Sequence, residues 1–107
     1  MKTSELTGAA LDWAVAKAEG VVSDDIDDFC LSVRGEYAYS TDWAQGGQII
    51  ERERIRTWEE DGKFHADTPR RSPYCWFTGS TPLIAAMRTL VASKLGDDVD
   101  IPEELLK

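Results

Sequence analysis

The fold class is decided by the stretch IRTWEEDGKFHADT at positions 55–68. In it, two runs of alternating apolar and polar residues flank the dipeptide Asp61-Gly62. Alternation places apolar side chains on one face of a strand, and Asp-Gly favours a tight turn with positive φ at both central residues. The stretch therefore predicts a β-hairpin that turns at Asp61-Gly62.

Two helices are predicted, one on each side of the hairpin. The first covers about residues 7–19 and has Thr7 as its N-cap. The second covers about residues 82–95, between an N-cap at Thr81 and a glycine stop at Gly96. Apolar residues recur every three to four positions in both segments. We therefore predict an α+β fold in which two amphipathic helices pack on a small antiparallel sheet with a central hairpin.

The remaining aromatic and alternating segments complete this picture. Residues 29–33 alternate and predict a further strand, and residues 74–77 predict a short extended stretch. Trp58 and Trp76 are expected in core or sheet packing, as is Trp13 in the first helix. His65, within the hairpin, is expected at the surface.

Size and charge limit the function classes. The chain has 107 residues and a net charge of −8, from 12 Lys and Arg against 20 Asp and Glu. This length predicts a single domain, 1–107, with an acidic C-terminal tail from about residue 97. The acidic balance argues against direct binding to nucleic-acid backbones, which Lys and Arg neutralise. A core this small also favours a homo-oligomer, which would bury more apolar surface.

Location and redox chemistry follow from what the sequence lacks. No apolar run approaches the ~20 residues that span a bilayer, and the N-terminus lacks the apolar stretch of a signal peptide. We therefore expect a cytoplasmic protein with no membrane partner, in which Cys30 and Cys75 stay reduced. Two cysteines and the single histidine are too few for a zinc site, so no metal or other cofactor is expected.

A ligand-recognising loop is predicted from the segment STDWAQGG at positions 40–47. Gly46-Gly47 allows positive φ or a close approach of the backbone to a ligand. Trp43 offers a flat stacking surface, although its indole also suits a core anchor. Hydroxyl, carboxylate and amide groups surround it. This mixture is typical of recognition rather than of core packing.

Anion-binding groups are predicted at two further places. Ser80 and Thr81 precede a helix, where free N–H groups attract anions, although capping alone also explains them. Arg52, Arg54 and Arg56 alternate, so on a strand they share one face, either as a solvated face paired with glutamates or as a clamp for a carboxylate or phosphate. The predicted ligand-binding residues are Asp12, Thr41, Asp42, Trp43, Gln45, Gly46, Gly47, Arg52, Ser80, Thr81 and Arg88.

The chain resembles the NinX-like family of small phage proteins. The resemblance is carried by residues 6–20, 39–53, 79–88 and 91–97, which together span nearly the whole chain. Gln48 stands where the family pattern leads us to expect proline, and Arg54 where it leads us to expect glycine. The resemblance implies a phage origin and an accessory role, and it assigns no catalytic residue.

Three hypotheses for function follow. The first is a non-enzymatic protein that binds a small anionic, nucleotide-like ligand and sequesters a nucleotide signal of host defence. The second is an acidic interaction module that inhibits or adapts a host or phage protein, using the run Asp24, Asp25, Asp27 and Asp28. Enzymatic activity is left open but disfavoured, because no catalytic set is assembled by the sequence and Asp12 and Asp42 are the only carboxylate bases that we can name.

Overall fold

Three helices and a three-stranded sheet make up the described part of the chain. The structure, a computed structural model, describes residues 1–20, 38–69 and 76–101. A single 3-10 turn at Thr3–Glu5 precedes the first helix. The helices are α1 (Gly8–Ala18), α2 (Trp43–Glu53) and α3 (Pro82–Leu95), and the strands are β1 (Arg56–Glu60), β2 (Lys63–Asp67) and β3 (Trp76–Gly79).

The sheet is antiparallel throughout, with the strand order β1-β2-β3. Glu60 pairs with Lys63 across the turn, in which Asp61 has φ 55° and Gly62 has φ 78°. Positive φ at both central residues is what the Asp-Gly signal requires. The predicted hairpin and the predicted α+β fold are both confirmed.

The two predicted helices are present with nearly the predicted bounds. Thr7 stands at the N-cap of α1, although its side chain makes no capping hydrogen bond. In α3, the Thr81 hydroxyl accepts a hydrogen bond from the N–H of Ile84 at 3.1 Å. Gly96, with φ 92°, ends the helix in a conformation that residues with a Cβ rarely adopt.

The third helix, α2, corrects the prediction of a polar loop at positions 40–47. Asp42 caps it by accepting the N–H of Ala44 at 2.9 Å, and Ile49 is buried against the rest of the core. Neither Gly46 nor Gly47 has positive φ. Of the two roles predicted for this glycine pair, the one that requires positive φ is therefore wrong. Gly46 instead permits close packing, because a Cβ there would lie 2.5 Å from Leu83 Cδ1 of α3.

The three alternating arginines do not share a strand face. Arg52 lies in the last turn of α2, Arg54 is its C-cap, and Arg56 begins β1. Arg54 has φ 56° and ψ 41°, the left-handed conformation that glycine adopts without strain. The helix ends between Arg52 and Arg56, so the alternating arginines do not lie on one strand. The sequence pattern did not reveal this helix end.

The core lies between the helices and one face of the sheet. α1 packs on α3, and α3 packs on β2 and β3. The fully buried side chains include Leu11 and Trp13 of α1 and Met87 and Leu90 of α3. The expected core position of Trp13 is thus confirmed. Near the chain ends, Val99 N–H donates to the carbonyl of Met1 at 2.9 Å, so residues close to position 99 pack beside the N-terminus.

Several predicted features lie outside the described residues. They are the acidic run at 24–28, the strand at 29–33, Cys30, Cys75 and the last six residues of the tail.

Candidate functional site

A cleft of about 650 Å³ opens where the hairpin turn, β3 and the start of α3 meet. Three other clefts lined by described residues measure about 390 to 400 Å³ each. The lining of the 650 Å³ cleft combines two aromatic rings, two cations, hydroxyls and glycines. The lining residues include Ser4, Lys63, Trp76, Gly79, Ser80 and Arg88.

Arg88 is the most unusual group in this cleft. It projects from α3, where its Nε donates to the carbonyl of Leu6 at 2.8 Å and its Nη1 donates to the carbonyl of Thr78 at 2.6 Å. Desolvation by burial lowers the pKa of Arg88, which is half-buried. Within residues 1–20, 38–69 and 76–101, no carboxylate forms an ion pair with Arg88. A half-buried cation held by neutral carbonyls attracts an anion.

Trp76 supplies the aromatic wall of the cleft. Its side chain is 54% exposed, and its ring meets His65 edge-on at 5.0 Å between centroids. On the other side of His65, the ring of Trp58 stacks at 5.6 Å with an interplanar angle of 26°. The three rings form a row on the face of the sheet opposite the helices. We call Trp58, His65 and Trp76 the aromatic row.

The aromatic row decides one expectation and overturns another. Of the two settings expected for Trp58 and Trp76, core or sheet packing, the structure shows sheet packing: both rings contact His65 on the outer face of the sheet, and both side chains are exposed. His65 was expected at the surface but is only 9% exposed, and its Nδ1 lies 3.0 Å from the Thr78 hydroxyl. The register explains both results, because Trp58 pairs with His65 and the two tryptophans flank that ring.

The start of α3 forms the remaining wall. A Cβ on Gly79 would lie 2.7 Å from the backbone N of Ala85 and 2.8 Å from Ile84 Cγ2, so only glycine lets β3 end this close to the helix. Ser80 is exposed and lines the cleft. Thr81 is occupied in capping, as the simpler of the two interpretations predicted.

The polar segment that the sequence singled out is largely engaged in intramolecular hydrogen bonds. Asp12 Oδ1 accepts the N–H of Ser40 at 2.8 Å, which ties α1 to the start of α2. Burial raises the pKa of Asp12, and the hydrogen bonds from Ser40 oppose that rise. Gln45 Oε1 accepts the N–H of Ala38 at 2.9 Å, and Gln45 Nε2 lies 3.4 Å from Asp42 Oδ2. Thr41 Oγ1 lies 3.5 Å from the carbonyl oxygen of Ala38.

Arg52 joins two helices rather than standing free for a ligand. Its Nη2 donates to Glu19 Oε2 at 2.7 Å and its Nε donates to Glu53 Oε2 at 2.9 Å, and these bonds raise its pKa further. Lys94 Nζ lies 3.6 Å from the other oxygen of Glu53, which is buried. Trp43 is 56% exposed, so its ring is not a core anchor.

The structure therefore does not bring the predicted site residues together in one cleft. Ser80 and Arg88 line the 650 Å³ cleft, whereas Gln45 and Arg52 line a separate cleft of about 400 Å³. The polar segment does meet the start of α3, through Gly46 and Leu83, but this contact is apolar packing. Lys63 and Trp76 were missed as ligand-binding candidates, and only the strand register shows that they share the cleft with Arg88.

Comparison with known families supports the resemblance seen in the sequence. A family model described as "Bacteriophage P22, NinX" matches residues 2–94. The chain belongs to this family. As a NinX-family member it is a phage accessory protein. No curated protein matches the chain.

The NinX match covers both clefts, because every residue named in their linings falls between positions 2 and 94. In the described ranges of this NinX-family protein, no group of three or more His, Cys, Asp or Glu side chains is arranged to hold a metal ion. Nor does any helix in the described part of the chain combine the length and apolar character that crossing a membrane requires.

Proposed function

We propose that this NinX-family protein binds a small anionic ligand with an aromatic ring, a nucleotide in the simplest case, in the cleft beside Arg88. The observation that carries the proposal is Arg88 itself. Its guanidinium is half-buried and has no carboxylate partner among the described residues, although the chain as a whole is acidic. An anionic ligand would supply the missing negative charge.

The groups around Arg88 fit the two halves of a nucleotide. Two of the five guanidinium N–H donors are used by the carbonyls of Leu6 and Thr78, which orients the fork and leaves the Nη2 group for phosphate oxygens. Lys63 adds a second cation on the same cleft, and Ser80 adds a hydroxyl. Trp76 presents a half-exposed ring on which a base can stack.

The proposed role is sequestration rather than turnover. Arg, Lys, Ser and Trp bind and orient a ligand, and the described residues that line the cleft include no carboxylate or histidine base. A phage accessory protein of this kind would lower the free concentration of a nucleotide signal that host defence uses. Such a role requires tight binding and no chemistry.

The first experiment is native mass spectrometry of the protein purified gently from phage-infected cells. A reproducible added mass in the nucleotide range supports the proposal and identifies the ligand. Calorimetric titration against linear and cyclic nucleotides then measures the affinity. Absence of both an added mass and any heat of binding would overturn nucleotide binding and transfer the question to the acidic interaction module at Asp24, Asp25, Asp27 and Asp28.

Two matched tryptophan variants locate the binding site. Trp76 and Trp43 are almost equally exposed, at 54% and 56%, but only Trp76 lines the cleft beside Arg88. Loss of one base-stacking ring costs about 1–3 kcal/mol, so we expect Trp76→Ala to weaken binding about tenfold or more and Trp43→Ala to leave it unchanged. The reverse result would place the ligand at the polar segment of α2 instead.

A further inference from the structure

The strand register decides which backbone groups of β3 point away from the sheet. Glu60 and Lys63 flank the two-residue hairpin turn and therefore exchange hydrogen bonds. In an antiparallel ladder each residue directs its N–H and C=O to one side, and successive residues alternate. His65, two positions after Lys63, consequently bonds to β1, so its partner Thr78 directs its backbone groups to the open side of β3, an edge strand of the described sheet. Trp76, two positions earlier, does the same.

The 650 Å³ cleft lies against this open edge. Trp76 and Phe77 are successive residues of β3, so their side chains lie on opposite faces of the sheet, yet both line the cleft. Ser4 lines it as well, and Arg88 reaches the Thr78 carbonyl at 2.6 Å, which agrees with a Thr78 backbone that points outward. Within residues 1–20, 38–69 and 76–101, the Trp76 carbonyl and the Thr78 N–H have no hydrogen-bond partner.

We propose that the ligand of this cleft is an adenine nucleotide whose base lies at the open edge of β3. The inference rests on the proposed nucleotide binding and names the base. Along the strand, the Trp76 carbonyl offers an acceptor and the Thr78 N–H, its neighbour on the same edge, offers a donor. Adenine carries the complementary pair, since its N6 amino group donates and its N1 accepts. The indole of Trp76, which rises from the same strand, covers one face of the base.

The position of the phosphate-binding groups selects adenine over guanine. In adenine the ribose lies on the N1 side of the base, away from N6, so a base bound in this way directs its ribose from Thr78 toward Ser80. Ser80, Lys63 and Arg88 line that end of the cleft. Guanine carries O6 in place of N6 and a proton on N1, so the same orientation sets acceptor against acceptor and donor against donor. Turning guanine over restores both bonds but directs its ribose away from Ser80.

Calorimetric titration of the full chain with AMP, IMP and CMP tests the base preference. AMP and IMP share ribose and phosphate, but IMP presents O6 and a protonated N1, so we expect AMP to bind at least about tenfold more tightly. CMP presents the same donor and acceptor as AMP on a single ring and should bind more weakly, because less surface stacks on Trp76. Equal affinity for AMP and IMP, or tighter binding of IMP or CMP, overturns the adenine assignment and leaves nucleotide binding standing. Binding of none of the three contradicts both proposals.

Two variants at position 78 test the backbone contact. Thr78→Pro removes the outward N–H, which an edge strand tolerates, and should weaken AMP binding at least about tenfold. Thr78→Val keeps the N–H and, like the proline variant, lacks the hydroxyl that lies 3.0 Å from His65 Nδ1, so it should bind AMP nearly as the wild type does. Equal AMP affinity in the two variants overturns the role of the Thr78 N–H. The comparison of AMP with IMP in the wild type does not depend on how the proline variant folds.

Discussion

Adjacent glycines in α2 should respond oppositely to the same substitution. A Cβ at Gly46 would lie 2.5 Å from Leu83 Cδ1 and 2.5 Å from the carbonyl oxygen of Tyr39. A Cβ at Gly47 would have its nearest contact at 3.7 Å, with Trp43 Cε3. Neither glycine has positive φ, so alanine fits the backbone conformation at both positions. The difference between the two variants therefore measures packing.

The magnitudes follow from two opposing terms. Replacing glycine by alanine inside a helix gains about 0.5–1 kcal/mol, and Gly47→Ala should show that gain. At Gly46 the same gain is opposed by overpacking, which costs about 1–3 kcal/mol and is greatest where backbone must move. Since one of its two close contacts is a carbonyl oxygen, we expect Gly46→Ala to be destabilised by about 1–2 kcal/mol.

Urea unfolding followed by far-ultraviolet circular dichroism measures both variants. The wild type and the variants are compared at a shared m-value, so that shifts in midpoint report the free energy of unfolding. For a domain of this size, a loss of 1–2 kcal/mol corresponds to a melting temperature lower by about 4–10 °C. Gly46→Ala as stable as the wild type, or less harmful than Gly47→Ala, would refute the packing of α2 on α3.

A double-mutant cycle assigns the cost to its contact. Leu83 is 2% exposed, and Leu83→Ala should itself be destabilising by about 2–5 kcal/mol. In that background the leucine side chain no longer opposes a Cβ at position 46, so Gly46→Ala should cost less than it does alone. Additive effects would mean that the Tyr39 carbonyl, rather than Leu83, carries the strain.

Two further predictions concern Arg54 and Asp12. Arg54→Gly should raise the free energy of unfolding by about 0.5–1 kcal/mol, because glycine holds the left-handed conformation (φ 56°) without strain, whereas Arg54→Ala should not; a lower free energy of unfolding for the glycine variant would contradict this. Because burial raises the pKa of Asp12 above its ordinary 3.8, its contribution to stability is full at acid pH and is lost as the pH rises through the raised value. Asp12→Asn keeps an acceptor for the Ser40 N–H but cannot titrate. From roughly pH 3 to pH 7 the free energy of unfolding should therefore decline less in this variant than in the wild type, and an equal decline in the two proteins would exclude Asp12 as the cause.

Local sequence signals were sufficient to predict the structure wherever a few neighbouring residues determine the backbone conformation. Asp61-Gly62 fixes a two-residue turn, since both positions need positive φ. Thr81 supplies an acceptor for a free N–H of the next turn, and Gly96 ends the same helix. These choices involve hydrogen bonds and dihedral angles within four residues, and a linear pattern records them directly.

Helix α2 shows where local signals mislead. Two adjacent glycines and a run of polar residues predict a loop, because glycine lowers helix propensity. In the structure Asp42 caps the first turn of this helix and Ile49 is buried in the core, and glycine at position 46 lets the helix lie close to Leu83. The same residues that looked like a binding loop are thus used in packing and capping.

The sequence by itself determined the α+β class, the hairpin, the helices α1 and α3, and the membership in a phage family. Only the tertiary structure decided that Trp58 and Trp76 face outward around His65, and that Lys63, Trp76 and Arg88 line one cleft. The physical reason is distance along the chain. The bonds from Arg88 to Thr78 and to Leu6 join residues 10 and 82 positions apart, and no local periodicity encodes which distant residues will meet.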